Sequence, residues 1–376
     1  NPYDDVRENY ERYKYMFRIT PMNSTNLATQ LLYMAAQLIV PKLKGAFGLT
    51  PYPMDATPLP IYIIAEDLVW VEPILKKLLA FAPLLGCNVV GVGRPSGIET
   101  DFSPFLDAIE GSGAKLIIHV FSAVAGATFI KQWGERKVKA VPVGINVESQ
   151  MQEFYAAIGG KCEYETIMSA LGTKTNIVPE AEPLNAVEFW DTCEARFGHS
   201  PIYTSWGSFG IVLGLNTSAP NSWITNSCDY IVTLFEQWSN PNSMTGFFKY
   251  TDYHDLYCDS YALTPIWPPP RTARAHIPQW QAGSLEVVWP RGYDRVTSNP
   301  TPLPFARKWE IPPWVYSLAE TDFAGGPDIP IPPEKIANYK GLPTGIFGDF
   351  TSSDRFVDLN DMKELTDRWQ STVPYT

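Results

Sequence analysis

The chain has 376 residues, 45% of them hydrophobic, which exceeds one ordinary domain and suffices for two packed lobes. A net charge of −11 argues against nucleic acid as a partner, because phosphates call for a basic patch. No apolar run reaches membrane-spanning length, so a bilayer-crossing chain is not expected.

The chain starts at Asn1 without methionine or a signal-peptide pattern and reads as a processed product or a fragment. Residues 1–14 are polar and tyrosine-rich, as in a surface segment. Residues 15–20 (YMFRIT) read as a strand. Ser24 can cap a helix whose stripe is Leu27, Leu31, Met34, Ala35 and Leu38, and Pro41 interrupts it. Residues 48–60 hold four prolines and read as a linker.

The stretch from 59 to 145 organises the rest. It predicts strands over 61–65, 87–92, 114–120 and 139–145. Helices over 72–85, 102–109 and 123–135 separate them. Ser103 is the expected N-cap of the second helix, with Pro104 at its first helical position. Continuous β-branched runs alternating with helices imply a parallel sheet covered on both faces. Right-handed crossovers make it a doubly wound α/β domain, whose ligands sit at the carboxyl ends of the strands.

Beyond Ile145, a helix is expected over 148–158, stopped by Gly159-Gly160. A strand over 164–168 follows, then helices over 183–197, 204–215 and 223–238. Strands are expected over 246–250, 263–267, 275–280 and 285–289, the last two forming a hairpin over Gln281-Ala282-Gly283. From Pro290 onward proline clusters alternate with aromatics, and only 359–369 looks helical. Trp309, Trp314, Tyr316, Phe323 and Phe347 argue against pure disorder, so this tail should lie over a surface, its own or a partner's.

None of the five cysteines has metal-type spacing, so no zinc site is expected. Cys87 falls in a strand and reads as a buried thiol. Cys162 with Cys193, and Cys228 with Cys258, would make two disulfides; the alternative is that all stay reduced in the core. Asn23-Ser24-Thr25 and Asn216-Thr217-Ser218 fit the glycosylation sequon, a triplet common by chance.

Catalytic patterns are weak. The run from Gly91 to Gly97 is spaced GxGxxxG, and Pro95 blocks the helix that would hold a pyrophosphate. Gly207-Ser208-Phe209-Gly210 lacks nucleophile-elbow spacing. His119, His199, His254 and His276 are scattered, and His119 sits in an apolar strand as a core residue. Tyr253-His254-Asp255 reads as a turn. With no nucleophile, base and orienting acid assembled, no enzyme and no cofactor are expected.

Four segments carry a family resemblance. They are YKYMFRITP (13–21), DFSP (101–104), FIKQ (129–132) followed by KAVPVG (139–144), and IPQW (277–280) with VVWP (287–290). In this order the chain resembles the type I periplasmic solute-binding proteins, the branched-chain amino acid and amide group that serves ABC importers. The resemblance implies two doubly wound lobes closing on a small solute. Such proteins carry two or three βα units ahead of the FR strand, so the first lobe is expected to be incomplete here, with a second chain as one source of the missing units. The implied division is 1–50 in lobe 1, 51–198 in lobe 2, 199–255 back in lobe 1, 256–290 in lobe 2, and 291–376 as an extension.

The resemblance places cleft residues just after the strands: Asp67 and Trp70, Phe121 and Ser122, and Asn146. Trp70 would wall the ligand, while Ser122 and Asn146 would supply hydrogen bonds. An acid often stands near the Asn146 position where the ligand is an amino acid. The expected function is extracytoplasmic capture, in the periplasm or at the cell surface, of a small polar solute, amino acid- or amide-like. A membrane permease or receptor would be the partner. The other reading is a structural or assembly subunit that kept the fold and lost the ligand.

Overall fold

Four short apolar runs fix the architecture. The computed structural model describes residues 2–20, 23–49, 57–169, 186–218, 227–237, 239–243, 246–255, 277–289 and 309–316. The runs become β1 (Leu59–Ala65), β2 (Cys87–Gly93), β3 (Leu116–Phe121) and β4 (Val141–Asn146). With β5 (Thr166–Ile167), β8 (Ile277–Gln281) and β9 (Ser284–Trp289) they form a sheet in the order β2-β1-β3-β4-β5-β8-β9. Strands β1 to β5 pair in parallel; β5, β8 and β9 pair antiparallel. A separate ribbon joins β6 (Ser239–Ser243) and β7 (Gly246–Lys249).

Period two sorts the side chains. Ile61 and Ile63, Leu116 and Ile118, and Val141 and Val143 enter one core. Tyr62, Ile64, Ile117 and Phe121 enter the other. The first face is covered by α3 (Ser24–Met34), α4 (Val40–Ala46) and α5 (Glu72–Phe81). The second is covered by α6 (Ser103–Gly111), α7 (Ala125–Arg136) and the short α8 (Phe154–Ala157). Each buried Leu- or Ile-sized side chain adds about 1.5–3 kcal/mol. A further group holds α1 (Pro2–Glu8), α2 (Tyr10–Tyr13), α9 (Ala186–Phe197), α10 (Tyr203–Ser218) and α11 (Cys228–Gln237).

Several expectations are corrected. Residues 15–20 form no strand, because their backbone is engaged elsewhere. Arg18 N–H donates to His254 O at 3.0 Å, and Met16 O lies 3.0 Å from His254 Nδ1. His254 Nε2 faces Glu236 Oε1 at 2.9 Å, and its ring stacks on Phe17. Pro41 does not end its helix. The turn ahead of it widens into a π-helix over Ala35–Ile39, which absorbs the missing N–H. Ser103 is the first helical residue rather than the cap, and its N–H donates to Asp101 Oδ1. The 148–158 helix splits into a 3₁₀ turn, Glu148–Gln150, and α8. The 164–168 strand shrinks to two residues after Tyr164 takes a φ of 72°. The ribbon strand β6 gave no apolar signal.

Cys162 and Cys193 are both free and buried, Cys162 in the sheet's second core and Cys193 on α9, so they form no disulfide. Cys228 is a free, exposed thiol rather than a bridge to Cys258. Cys258 itself, His276, Phe323 and Phe347, the 263–267 strand and the 359–369 helix lie outside the described residues. Cys87 is buried as expected, and desolvation pushes its thiol up to about 12.

Residues 309–316 of the late chain lie on the chain's own sheet. Trp309 is buried and donates its indole N–H to Thr166 Oγ1 at 2.8 Å. Glu310 N–H donates to Gln279 Oε1, and Gln279 Nε2 returns a bond to Glu310 O. Trp314 packs on Trp133 and Tyr164.

Lys77 of α5 makes a buried contact with α3, donating to Thr29 Oγ1 at 2.6 Å. Burial pushes its ammonium from 10.5 down to about 8. Below that value folded and unfolded chains both hold the proton, and folding carries the full desolvation cost. Between about 8 and 10.5 the folded chain releases it first, so stability rises with pH across this window. In urea unfolding from pH 7.5 to 10.5, wild type should gain roughly 3 kcal/mol relative to Lys77→Met. A constant difference between the two proteins would refute the assignment.

Candidate functional site

The carboxyl ends of β1, β3 and β4 meet at one edge of the sheet, where parallel α/β sheets present their ligand-facing groups. At this edge the first polar residue after β1 is Glu66, and it is fully buried. Its N–H continues the ladder to Val120 O at 3.0 Å. One carboxylate oxygen, Oε1, accepts the Trp70 indole N–H at 2.8 Å, the Ser122 backbone N–H at 2.9 Å and the Ser122 hydroxyl. The other oxygen, Oε2, is buried and has no hydrogen-bond partner among the described residues.

Thus two of the residues expected in the cleft, Trp70 and Ser122, come together on a third that sequence reasoning passed over. The signal for Glu66 was available in the strand period. Residues 66 and 67 point to opposite sides, and an acid one step past an apolar run is the one that turns inward. Asp67 points outward, 2.9 Å from Arg94 Nη2, which also pairs with Glu72.

Phe121 and Asn146 are placed differently. Phe121 is fully buried on the second face, against Phe102 and Phe129. Asn146 is also buried and donates from Nδ2 to Glu165 Oε1 at 2.9 Å. Glu165, fully buried, accepts the Ser149 hydroxyl at 2.6 Å, and Ser149 Oγ in turn accepts the Trp280 indole N–H at 2.7 Å. His119 Nε2 lies 3.3 Å from Glu165 Oε1. An acid therefore does stand beside Asn146, but it comes from residue 165 and is spent on an internal network. Gly126 at the start of α7 lets the helix approach, since a Cβ there would stand 2.5 Å from Asn146 Oδ1.

The loops at these strand ends also expose apolar side chains, beside the charged Asp67, Arg94 and Glu72. Leu68 and Val69 follow β1, Ile98 lies on the loop after β2, and Val124 caps α7. All four are exposed, Val69 by 88% and Ile98 by 77%. Among the described residues no group of three or more His, Cys, Asp or Glu is placed to hold a metal, and no helix is long and apolar enough to cross a membrane.

No known family profile matches the sequence, and no curated protein matches it. Solved structures do. The chain is similar to a protein from Silicibacter pomeroyi assigned to branched-chain amino acid ABC transport, at 13% identity and a TM-score of 0.59, over 83% of this chain and 73% of that one. It is similar to an ABC-transporter solute-binding protein from Rhodopseudomonas palustris BisB5 solved with 3,4-dihydroxybenzoic acid, at 13% identity and a TM-score of 0.53, over 73% of this chain and 66% of that one. A periplasmic binding protein from Burkholderia mallei matches at 11% identity and a TM-score of 0.52, over 76% of this chain and 67% of that one. These likenesses establish the fold, that of the type I periplasmic binding proteins.

Proposed function

We propose that this chain is an extracytoplasmic solute-binding protein that captures a small molecule at the carboxyl edge of its sheet for an ABC-type importer. The observation that carries the reading is the convergence at that edge of Trp70, Ser122 and the half-satisfied Glu66, at strand ends whose loops expose Leu68, Val69, Ile98 and Val124. Concave sites with a few fixed polar groups among apolar ones are the usual form of small-ligand recognition. The fold adds support, because its solved neighbours include solute-binding proteins. Binding would proceed by closure of two lobes, with 51–198 forming one of them and 199–255 belonging to the other. A membrane permease would read the closed form, and no catalysis is required of any residue.

The test is a thermal-shift panel of amino acids, amides, aromatic acids and amines against the full chain. A ligand at a hundred times its Kd adds about 2.7 kcal/mol to stability. For a chain of this size that is a rise of about 3 °C. Failure of every solute to move Tm, together with stoichiometric copurification of another polypeptide, would replace this reading with that of an assembly subunit.

A further inference from the structure

Glu66 is built unlike a structural carboxylate. A buried acid kept for stability has both oxygens satisfied. Here three donors converge on Oε1 from Trp70 and Ser122, and they hold the group in one orientation. Oε2 is left buried without a partner. The glycine at 97 puts no side chain over it; a Cβ there would stand 3.8 Å from Oε2 and 3.8 Å from Leu68 Cδ1.

The nearby charges do not answer this oxygen. Arg94 follows β2; its Nη2 is shared between the carboxylates of Asp67 and Glu72, and its Nη1 is buried without a hydrogen-bond partner among the described residues. No cation among the described residues pairs with Glu66. What remains is one fixed carboxylate oxygen beneath Gly97 and Leu68, with exposed Val69, Ile98 and Val124 on the loops at the same strand ends.

We infer that the site takes a protonated amine on an apolar body, with Glu66 Oε2 as the anchor for the ammonium. The inference rests on the solute-binding reading and narrows it: an N–H donor completes the carboxylate, and an anion is repelled by it. Oε2 lies buried beneath Gly97 and Leu68, so an amine that reaches it must displace the loop that carries Gly97. Trp70 and Ser122 act as positioning residues, holding the carboxylate through Oε1.

The experiment is calorimetric titration of the full chain with matched sets sharing one apolar body. Benzylamine, benzyl alcohol and benzoate form the first set; isobutylamine, isobutanol and isovalerate form the second. In at least one set the amine should bind at least about ten-fold tighter than its alcohol and its acid, the worth of one charge-assisted hydrogen bond. Glu66→Gln should erase that margin, bringing the amine to within about two-fold of its alcohol. Should the variant fail to fold by circular dichroism, the wild-type ranking alone decides. If in neither set the amine exceeds its alcohol and its acid by that margin, the inference is overturned and solute binding is left standing. If neither these sets nor the broader solute panel binds, the underlying reading fails as well.

Discussion

Glu165→Ala is expected to cost the sheet domain about 3–5 kcal/mol, the usual penalty for breaking a buried charged network from one side. The carboxylate is fully buried and is the common acceptor for Asn146 Nδ2 and the Ser149 hydroxyl, with His119 Nε2 3.3 Å away. Truncation strands these donors together. It also frees Ser149 Oγ, which receives the Trp280 indole, so the loss passes from the β3–β4 side of the sheet to β8. Glu165→Gln keeps one acceptor oxygen and should cost less, about 1–3 kcal/mol. Urea unfolding followed by far-UV circular dichroism measures both. A loss below about 1 kcal/mol for the alanine variant would mean that water or rearrangement satisfies the network without the acid.

Gly144→Ala should be at least as damaging. Gly144 lies in β4 opposite His119 of β3, and a Cβ there would stand 1.8 Å from the His119 carbonyl oxygen. Neither atom can yield, because both belong to the backbone of central strands. Relief requires β3 and β4 to separate, at a cost of at least about 3 kcal/mol. Gly111 at the end of α6 is the matched control. A Cβ there meets nothing within 4 Å, so Gly111→Ala should be neutral or stabilising by up to about 1 kcal/mol. Equal melting temperatures for the two variants would contradict the packing described.

The parallel core was legible because its signals are local. Runs such as IYII and LIIHV, separated by helical spacing, have few other uses, and they became β1 and β3 with shifts of only one or two residues at their ends. What failed to show depends on partners remote in sequence. Residues 15–20 look like a strand, but His254 takes their backbone groups before any neighbouring strand does. Pro41 looks like a stop, yet the widened turn over Ala35–Ile39 carries the helix past it. At the site, Trp70 and Ser122 were within reach of a strand-end rule. Glu66 was missed by one residue, and with it the side-chain parity that separates an inward acid from the outward Asp67. Asn146 was placed at the right strand end, but its burial follows from Glu165, whose role no local pattern announces.

Trp309 has a consequence for how the chain is made. Its indole closes on Thr166, 143 positions earlier. At ribosomal speeds of about 5–20 residues per second, Thr166 leaves the tunnel on the order of 7–30 s before its partner. During that interval β1 to β5 can pair, but the first core still lacks a tryptophan-sized plug. The nascent sheet therefore waits with the Trp309 position of its first core unfilled, beneath helices α3, α4 and α5 already in place, until the late segment emerges and caps it.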